Sequence, residues 1–257
     1  MGPRARPRTA RHSPGVADRI HRLPTSAVLL WLAASAYASA AELRFGGSAA
    51  LSSDYVLRGV TQSRGHAAAQ LDLHIRPLED WTVGAWASSV EFQAGRPFTE
   101  LNLYTQWRWL LPRALSATAG AVYYAYPGDP RTVSYQYAEI NSTLRWRDRL
   151  TLSATWAPRT VLFAQGYRLQ RDHNTWSAEL TGNQPLPLGL VALAGIGYFD
   201  APGLPAAGYA YGSAGLMRRF GRWRAEVDYM RVQDAAHRRF TSGAAGGPLT
   251  VSVALLF

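Results

Sequence analysis

The sequence predicts an all-β fold: one antiparallel, up-and-down transmembrane β-barrel of about twelve strands, preceded by a cleaved signal peptide. Three observations predict it. The N-terminus has the organisation of an export signal, and the rest of the chain alternates apolar and polar residues over strand-length segments. The last eight residues, Thr250–Phe257, form an alternating strand that ends on an aromatic residue.

The first 40 residues have the three parts of a secretory signal peptide. Six arginines precede an apolar run, Ala27–Ala36, and the small residues Ala38 and Ala40 follow it with the spacing of a cleavage site. The apolar run is too short for a membrane-spanning helix, which needs roughly 20 residues. We therefore expect a signal peptide over residues 1–40, cleavage after Ala40, and a single barrel domain over residues 41–257.

Composition excludes several classes of function. The formal charge of +10 includes six arginines and one acid of the signal peptide, which leaves +5 for the mature chain. This weakens a nucleic-acid interpretation, which needs a basic patch on a folded domain. The chain has no cysteine, which excludes disulfides, thiol catalysis and cysteine metal sites.

The mature sequence divides into segments that have one apolar and one polar face. Many of them are about 10 residues or longer, enough to cross a bilayer at a tilt, whereas ordinary strands average about 5–6 residues. Their apolar faces tend to end in Trp or Tyr, as at membrane interfaces. We therefore expect the apolar faces to meet lipid, although the composition also suits a soluble β-sandwich. The predicted strands are 42–54, 67–75, 80–92, 99–110, 114–125, 134–147, 149–162, 174–184, 188–199, 208–219, 222–234 and 248–257.

Short and long connections alternate along the chain, as expected for short periplasmic turns and longer extracellular loops of an outer-membrane barrel. The connection 93–98 is the one exception, because it is short although it lies among the long loops. An even number of strands places both ends of the barrel on the periplasmic side. The short connections are 76–80, 111–113, 147–149, 185–189 and 220–222, and the long ones are 55–66, 126–133, 163–173, 200–207 and 235–247.

The C-terminal strand predicts both how the barrel closes and where it is located. An alternating strand at a chain end is a hazard in a soluble protein, because its edge invites pairing with other chains. A closed membrane barrel needs that strand to remove its edge, so we expect it to pair with Leu43–Leu51. A terminal Phe257 also resembles the signal by which bacterial outer-membrane barrels are recognised. Phe257 is therefore the predicted assembly signal, and the barrel assembly machinery and outer-membrane lipid are predicted partners.

The segment Ser52–Ser63, SSDYVLRGVTQS, resembles the signature of the TorF-type porin family (Gcw_chp), a proteobacterial outer-membrane family of unknown function. Residues 84–92, 100–104, 124–127 and 137–139 resemble that family too, so the likeness covers essentially the whole mature chain. Leu57 stands where an aromatic is usual, and Thr61 where Ser is usual. The resemblance implies a porin-like barrel and no particular substrate.

Two interpretations of Arg58 and Gly59 are open. In the first, which we favour, Arg58 pairs with Asp54 and Gly59 permits a tight bend at the top of the first hairpin. In the second, Arg58 folds back toward the pore mouth.

Charged residues of both signs occupy the polar faces, so we expect opposed rows of Arg and carboxylate across the lumen. They predict a porin-like channel for passive diffusion of small polar solutes or ions, with weak selectivity. The alternative is a non-conducting barrel, filled by mutual pairing of these residues, with a structural or surface-binding role. The pore-lining candidates are Asp72, Glu100, Arg108, Glu139, Arg145, Arg147, Glu179, Arg224, Glu226 and Asp228.

Enzymatic functions have less support. A barrel lipid hydrolase would need a Ser/His pair on the outer face, and the only histidine in a predicted strand, His74, has the parity of the lumen. The other mature histidines, His66, His173 and His237, lie in predicted loops without metal-ligand spacing. We therefore predict no enzyme, no catalytic residue, no metal, no cofactor and no nucleic-acid partner.

Overall fold

A computed structural model of the chain describes residues 43–92, 94–129, 136–163, 169–200, 208–233 and 249–257. Twelve antiparallel strands form a closed barrel, and two very short strands form a separate hairpin. The barrel strands are β1 (Arg44–Ser52), β4 (Ala68–Leu78), β5 (Trp81–Val90), β6 (Phe98–Leu111), β7 (Leu115–Ala125), β8 (Tyr137–Trp146), β9 (Leu150–Phe163), β10 (Leu169–Pro185), β11 (Leu190–Asp200), β12 (Tyr209–Phe220), β13 (Trp223–Val232) and β14 (Leu249–Leu256). The separate hairpin pairs β2 (Val56–Leu57) with β3 (Val60–Thr61), and a 3₁₀ turn covers Pro187–Gly189.

The order around the barrel follows the order in the sequence, from β4 round to β14, and β14 then pairs with β1. All twelve predicted barrel strands are confirmed, and the five short connections lie at one end together with the start of β1 and the end of β14. In the part of the chain that the structure describes, no helix is long and apolar enough to cross a membrane.

The prediction fails in one connection and is incomplete in another. The connection predicted at 163–173 is largely strand, because Leu169 pairs with Phe163 and the β9–β10 hairpin continues beyond its neighbours. The sequence Gln-Arg-Asp-His at 170–173 contains no apolar residue and therefore gives no alternation, while backbone pairing continues through two irregularities between Gln170 and Thr175. The connection predicted at 55–66 contains β2 and β3.

The outer surface of the barrel is apolar, as predicted. Phe45, Leu51 and Ile196 expose 77%, 67% and 66% of their area, although all three lie in regular strands. A soluble sandwich or barrel would bury these side chains, whereas a membrane barrel leaves them in contact with lipid. Aromatic residues girdle both ends of this surface, at Trp81, Trp107, Trp109, Trp146 and Trp223 near the short turns and at Tyr123, Trp156, Trp176, Tyr198 and Tyr229 near the long loops.

The C-terminal strand closes the barrel, as predicted. β14 pairs with β1 from Leu256 opposite Ser48 to Ser252 opposite Ser52. Phe257 extends the pairing, because its N–H donates to the Gly47 carbonyl at 3.0 Å and its carbonyl accepts from the Gly47 N–H at 2.8 Å. A Cβ at Gly47 would lie 2.7 Å from the Phe257 ring, so only glycine leaves room for the ring here.

Two predictions concern features beyond the described strands. The signal peptide at 1–40 and its cleavage site lie outside the described residues and stay predictions. Recognition of Phe257 by the assembly machinery also stays a prediction. What the fold does establish is a lumen whose wall positions are fixed by strand register, with every second side chain directed inward.

Candidate functional site

A segment after β1, residues 53–66, turns into the lumen and is called the inner hairpin here. Within it, Val56 pairs with Thr61 and Leu57 with Val60, which leaves Arg58 and Gly59 as a two-residue turn. Their φ angles of 50° and 79° are both positive, as a type I′ turn requires. The bend predicted at Gly59 is therefore present, and it is the tip of the inner hairpin.

The inner hairpin spans the lumen from the seam between β1 and β4. Near its base, the Tyr55 ring meets the Trp86 ring of β5 edge to face at 5.3 Å. At its tip, Gly59 lies so close to Val232 of β13 that a Cβ would collide with that side chain. Arg58 contacts β8 and β9, which lie nearly opposite the seam in the barrel order. The inner hairpin thus contacts β5, β8, β9 and β13 in the long-loop half.

Arg58 forms the principal polar contact between the inner hairpin and the wall. Its Nη2 donates to both carboxylate oxygens of Glu139 at 2.8 Å and lies 2.9 Å from the Thr155 hydroxyl. The Arg58 side chain is 15% exposed and that of Glu139 is 4% exposed. Burial alone would lower the pKa of Arg58, but the charge and hydrogen bonds of Glu139 outweigh it, and the pKa is raised. The guanidinium of Arg58 therefore stays charged throughout the ordinary pH range.

The predicted pairing of Arg58 with Asp54 is wrong, and the second interpretation, an Arg folded into the lumen, describes the structure. Asp54 instead ties the base of the inner hairpin together. Its Oδ1 accepts hydrogen bonds from the Thr61 hydroxyl at 2.6 Å, the Ser63 hydroxyl at 2.7 Å and the Gly65 N–H at 3.2 Å. The first and last parts of the motif SSDYVLRGVTQS are therefore bonded to each other, and its centre is the turn.

A second set of contacts joins the inner hairpin to the loop after β5. Glu91 accepts hydrogen bonds from His66 Nδ1 at 2.8 Å and from the Gly95 N–H at 2.7 Å. Its own N–H donates to the Gln62 carbonyl at 2.7 Å. The hydrogen bond with His66, followed by that of Gly95, outweighs burial and lowers the pKa of Glu91. Glu91 thus acts as an ionised anchor at the rim.

The wall beside the inner hairpin contains buried polar side chains. Glu100 of β6 is fully buried, and its Oε1 accepts from Asn102 Nδ2 at 2.8 Å and lies 3.4 Å from the Tyr55 hydroxyl. Glu100 Oε2 and Asn102 Oδ1 are buried without a hydrogen-bond partner among the described residues. Tyr124 and Tyr137 stack at 4.4 Å on the next two strands. Among the described residues, side chains of the wall and the inner hairpin are thus packed closely around Glu100.

The short-turn half of the lumen is open. It holds a cavity of about 260 Å³ with a mostly polar lining contributed by β4 to β8 and the turn after β4. Arg108 on this wall donates to Asp80 at 3.2 and 3.3 Å, and both side chains remain about 40% exposed. On other parts of the lumen wall, Glu179 accepts from the Tyr211 hydroxyl at 2.9 Å, and Asp72 lies 2.7 Å from His74.

The ten predicted pore-lining residues divide between these two halves. Strand register directs nine of them inward, whereas Arg147 lies in the turn after β8 and stacks on Trp146 at 4.9 Å. Glu100 and Glu139 face the inner hairpin. The residues of the short-turn half and the middle of the barrel are Asp72, Arg108, Arg145, Glu179, Arg224, Glu226 and Asp228.

Sequence reasoning missed the inner hairpin itself and its contacts Tyr55, Trp86 and Asn102. A usable signal was present, because Asp54 is surrounded by small hydroxyl residues, a composition that favours local hydrogen-bonded turns. His74 faces the lumen, as predicted, and its Nδ1 lies 2.7 Å from Asp72 Oδ1. Within the described ranges, no group of three or more His, Asp or Glu residues is placed to bind a metal ion.

The closed barrel, its lipid-facing surface and its two aromatic girdles are those of an outer-membrane protein. A membrane protein solved in a study of in-meso crystallization has a similar fold, with a TM-score of 0.51, 12% identity, and coverage of 82% of this chain and 83% of that one. The KdgM porin aligns with a TM-score of 0.49, 7% identity, and coverage of 82% and 98%. The COG4313 outer membrane channel from Pseudomonas putida F1 aligns with a TM-score of 0.49, 11% identity, and coverage of 83% and 95%.

No curated protein matches the sequence. The family described as "Bacterial protein of unknown function (Gcw_chp)" matches residues 36–255, and the chain therefore belongs to this bacterial family.

Proposed function

We propose that the protein is an outer-membrane channel for passive diffusion of small polar solutes or ions, and that the inner hairpin is its constriction. One observation carries the proposal. The short-turn half of the lumen contains a polar cavity, whereas in the long-loop half a chain segment enters the lumen and packs against described side chains of the wall. Small closed barrels without a path fill their interiors with wall side chains alone.

The constriction is polar and nearly neutral. Arg58 and Glu139 compensate each other at its centre, and Asp54 is satisfied by hydroxyl and amide donors on one of its oxygens. A path beside such a pair has no strong charge preference at its narrowest point, which agrees with weak selectivity. Displacement of the inner hairpin would join the cavity to the long-loop side.

The experiment is a conductance measurement on the full-length barrel in planar bilayers, with a cross-link that fixes the inner hairpin. A Cβ built at Gly59 lies 3.5 Å from Val232 Cβ, within the roughly 3.5–4.5 Å range of disulfides. The chain has no cysteine, so Gly59→Cys/Val232→Cys introduces a single possible bridge. We expect discrete steps from the wild type, smaller or rarer steps from the oxidised double variant, and recovery on reduction.

The matched control is Gly59→Ser/Val232→Ser, which carries side chains of similar size at both positions without the bridge and also removes the Val232 methyl groups that a Cβ at Gly59 would meet. Equal conductance of the oxidised and reduced double variant would show that movement of the inner hairpin does not affect conduction, and would overturn its assignment as the constriction. Consistently silent bilayers for the wild type would overturn the channel itself.

A second candidate function is a non-conducting barrel whose long loops act at the cell surface. The observation in its favour is the complete burial of Glu100 and the near-complete burial of Glu139 beneath the inner hairpin. Replacing residues 56–61 by a short Gly-Ser link distinguishes the two functions. The channel proposal expects larger conductance from this variant, and the alternative expects silence from both proteins although they assemble.

A further inference from the structure

The cavity in the short-turn half has a lining that is suited to a ligand. Three arginines border it, on β4, β6 and β8, together with Glu79 and Asp80 of the turn after β4. Strand register fixes their neighbours, since Arg108 stands opposite Thr118, Thr118 opposite Thr143, and Ser116 opposite Arg145. The lining is therefore a continuous polar surface across neighbouring strands.

The arginines of the cavity differ in whether they already form an ion pair with a carboxylate of the protein. Arg108 is held by Asp80 through its side chain and through its backbone N–H, which donates to the Asp80 carbonyl at 2.8 Å. Arg145 reaches Asp148 only at 4.0 Å, with both side chains more than half exposed, so this pair contributes little. Arg76 makes no ion pair with any described residue. Two guanidinium groups are thus available to an anion from two sides of the cavity.

The uncharged groups of the lining are also available. In the part of the chain that the structure describes, none of the five makes a side-chain hydrogen bond: Thr82, Gln106, Ser116, Thr118 and Thr143. Hydroxyl and amide side chains can donate and accept, so they suit the hydroxyl groups of a ligand. This combination of free guanidinium, hydroxyl and amide groups matches a molecule that carries both a carboxylate and hydroxyls.

The charge around the mouth reinforces attraction of anions. The strands leave five short turns, at 79–80, 112–114, 147–149, 186–189 and 221–222, and within these turns and three residues on either side of each the sequence has nine arginines and only three carboxylates. A mouth lined by one sign of charge concentrates ligands of the opposite sign. This excess also outweighs Glu79, which is the lining carboxylate outside the Arg108–Asp80 pair.

The size of the cavity limits the ligand. Its volume of about 260 Å³ lies just below the roughly 300–1,000 Å³ typical of pockets for drug-sized molecules. A single sugar acid fits this space, whereas a long oligosaccharide would have to extend into the open lumen.

We propose that this cavity is a binding site for a small hydroxylated carboxylate that enters from the short-turn side, with Arg76 and Arg145 holding the carboxylate. The site rests on the proposed function, because it gives the channel its class of solute. It differs from the weak selectivity expected at the constriction, because it lies in the wide half of the lumen.

The test is titration calorimetry on the full-length, detergent-solubilised barrel with gluconate, glucose and butyrate as probes. Charge-assisted hydrogen bonds are the strong ones, so we expect gluconate to bind about tenfold more tightly than glucose. Butyrate, which has the carboxylate without the hydroxyls, should also bind more weakly than gluconate. Arg76→Gln/Arg145→Gln should weaken gluconate binding by about tenfold or more.

The matched control is Arg96→Gln/Arg231→Gln, which removes the same charge from exposed positions on the long-loop side, outside both the cavity lining and the short turns. It should change gluconate binding less than about twofold. Equal losses in both double variants, or equal binding of gluconate and glucose, would overturn the site. Equal binding of butyrate and gluconate would overturn the hydroxylated class, and absence of any gluconate binding would overturn the whole inference.

A conductance measurement on the same preparation separates this inference from the proposed function. Gluconate binding by a barrel that stays silent in bilayers would refute the channel and leave the site intact. Conductance without gluconate binding would refute the site and leave the channel intact.

Discussion

The two halves of the lumen use the same kinds of residue in opposite ways. In the long-loop half, Arg58 and Glu139 are buried and meet at 2.8 Å, and Glu100 is inaccessible to solvent. In the short-turn half, Arg108 and Asp80 meet at 3.2 Å with both side chains about 40% exposed. One ion pair fastens a chain segment across the barrel, and the other lies in the wall of an open cavity.

The difference shows that burial, rather than the presence of an ion pair, sets what each pair does. Removing one partner of a buried pair leaves an uncompensated charge and costs about 3–5 kcal/mol. Exposed pairs are worth about 0–1 kcal/mol, because solvent screens them and long side chains lose entropy on pairing. The same kind of Arg–carboxylate pair thus attaches the inner hairpin to the wall in the long-loop half and forms part of a polar cavity lining in the short-turn half.

The largest effect is expected from Arg58→Ala. It leaves Glu139 buried without its cation, so the inner hairpin should detach from the wall at a cost of about 3 kcal/mol or more. Hydrogen exchange of the amides in residues 53–66 should then be at least about 100-fold faster. Mass spectrometry of the exchanged barrel in detergent measures this directly.

Arg108→Ala is the matched control from the open half. It removes the same type of side chain from an exposed pair, so exchange of the inner hairpin should stay within about twofold of the wild type. Equal acceleration by both substitutions would erase the distinction between the two halves. If Arg58→Ala did not accelerate exchange, contacts other than the Arg58–Glu139 pair would hold the inner hairpin to the wall.

The wall of the barrel could be predicted from the sequence because the pattern that specifies it involves only neighbouring residues. An alternation of period two assigns each residue to lipid or lumen, and a shift of one residue would invert every assignment. Arg145 therefore faces inward as predicted. Arg147 does not, because β8 ends at Trp146 and the chain enters a turn with a φ of 51° at Arg147.

The inner hairpin could not be predicted in the same way. Its strands have two residues each, too few for a period to appear. Its principal contact joins Arg58 to a residue 81 positions away, a distance that local pattern does not encode. Only two local features of the sequence indicated a turn here: Gly59, which the turn requires, and the polar residues around Asp54. Asp54 is the carboxylate nearest to Arg58 in the sequence, but in the structure Arg58 pairs with the distant Glu139.

A smaller effect is expected from Asp54→Ala, which removes the acceptor of three hydrogen bonds at the base of the inner hairpin. Buried donors left without a partner cost about 1–3 kcal/mol, but the Gly65 N–H keeps a contact to the Thr61 hydroxyl at 3.1 Å. We therefore expect a cost of about 2 kcal/mol and exchange of the same amides that is roughly 30-fold faster.

Asp54→Asn is the conservative control for this substitution. It keeps an oxygen at the position of Oδ1, and the atom it alters, Oδ2, has no hydrogen-bond partner among the described residues. Exchange should therefore change far less than in Asp54→Ala. An equal effect would mean that the negative charge, and not the geometry of the acceptor, holds the base.

The smallest effect is a pH dependence at the rim, where Glu91 joins the inner hairpin to the loop after β5. Hydrogen bonds from His66 and Gly95 lower the pKa of Glu91 below its ordinary value. A carboxylate with a lowered pKa in the folded state stabilises it fully above the ordinary value, about 4.3, and this contribution disappears as the pH falls through the lowered value. Acidification below about pH 4 should therefore loosen the rim.

The measurement is conductance or exchange of residues 91–95 between about pH 6 and pH 3, with Glu91→Gln as the comparison. Other carboxylates titrate in the same range, so only the difference between wild type and variant reports on Glu91. Glu91→Gln should already be loosened at neutral pH and should change less on acidification, because it has no proton to gain. Parallel pH profiles for the two proteins would show that the pH sensitivity comes from groups other than Glu91. The inner hairpin would then be held by Arg58 and Asp54 without a contribution from Glu91.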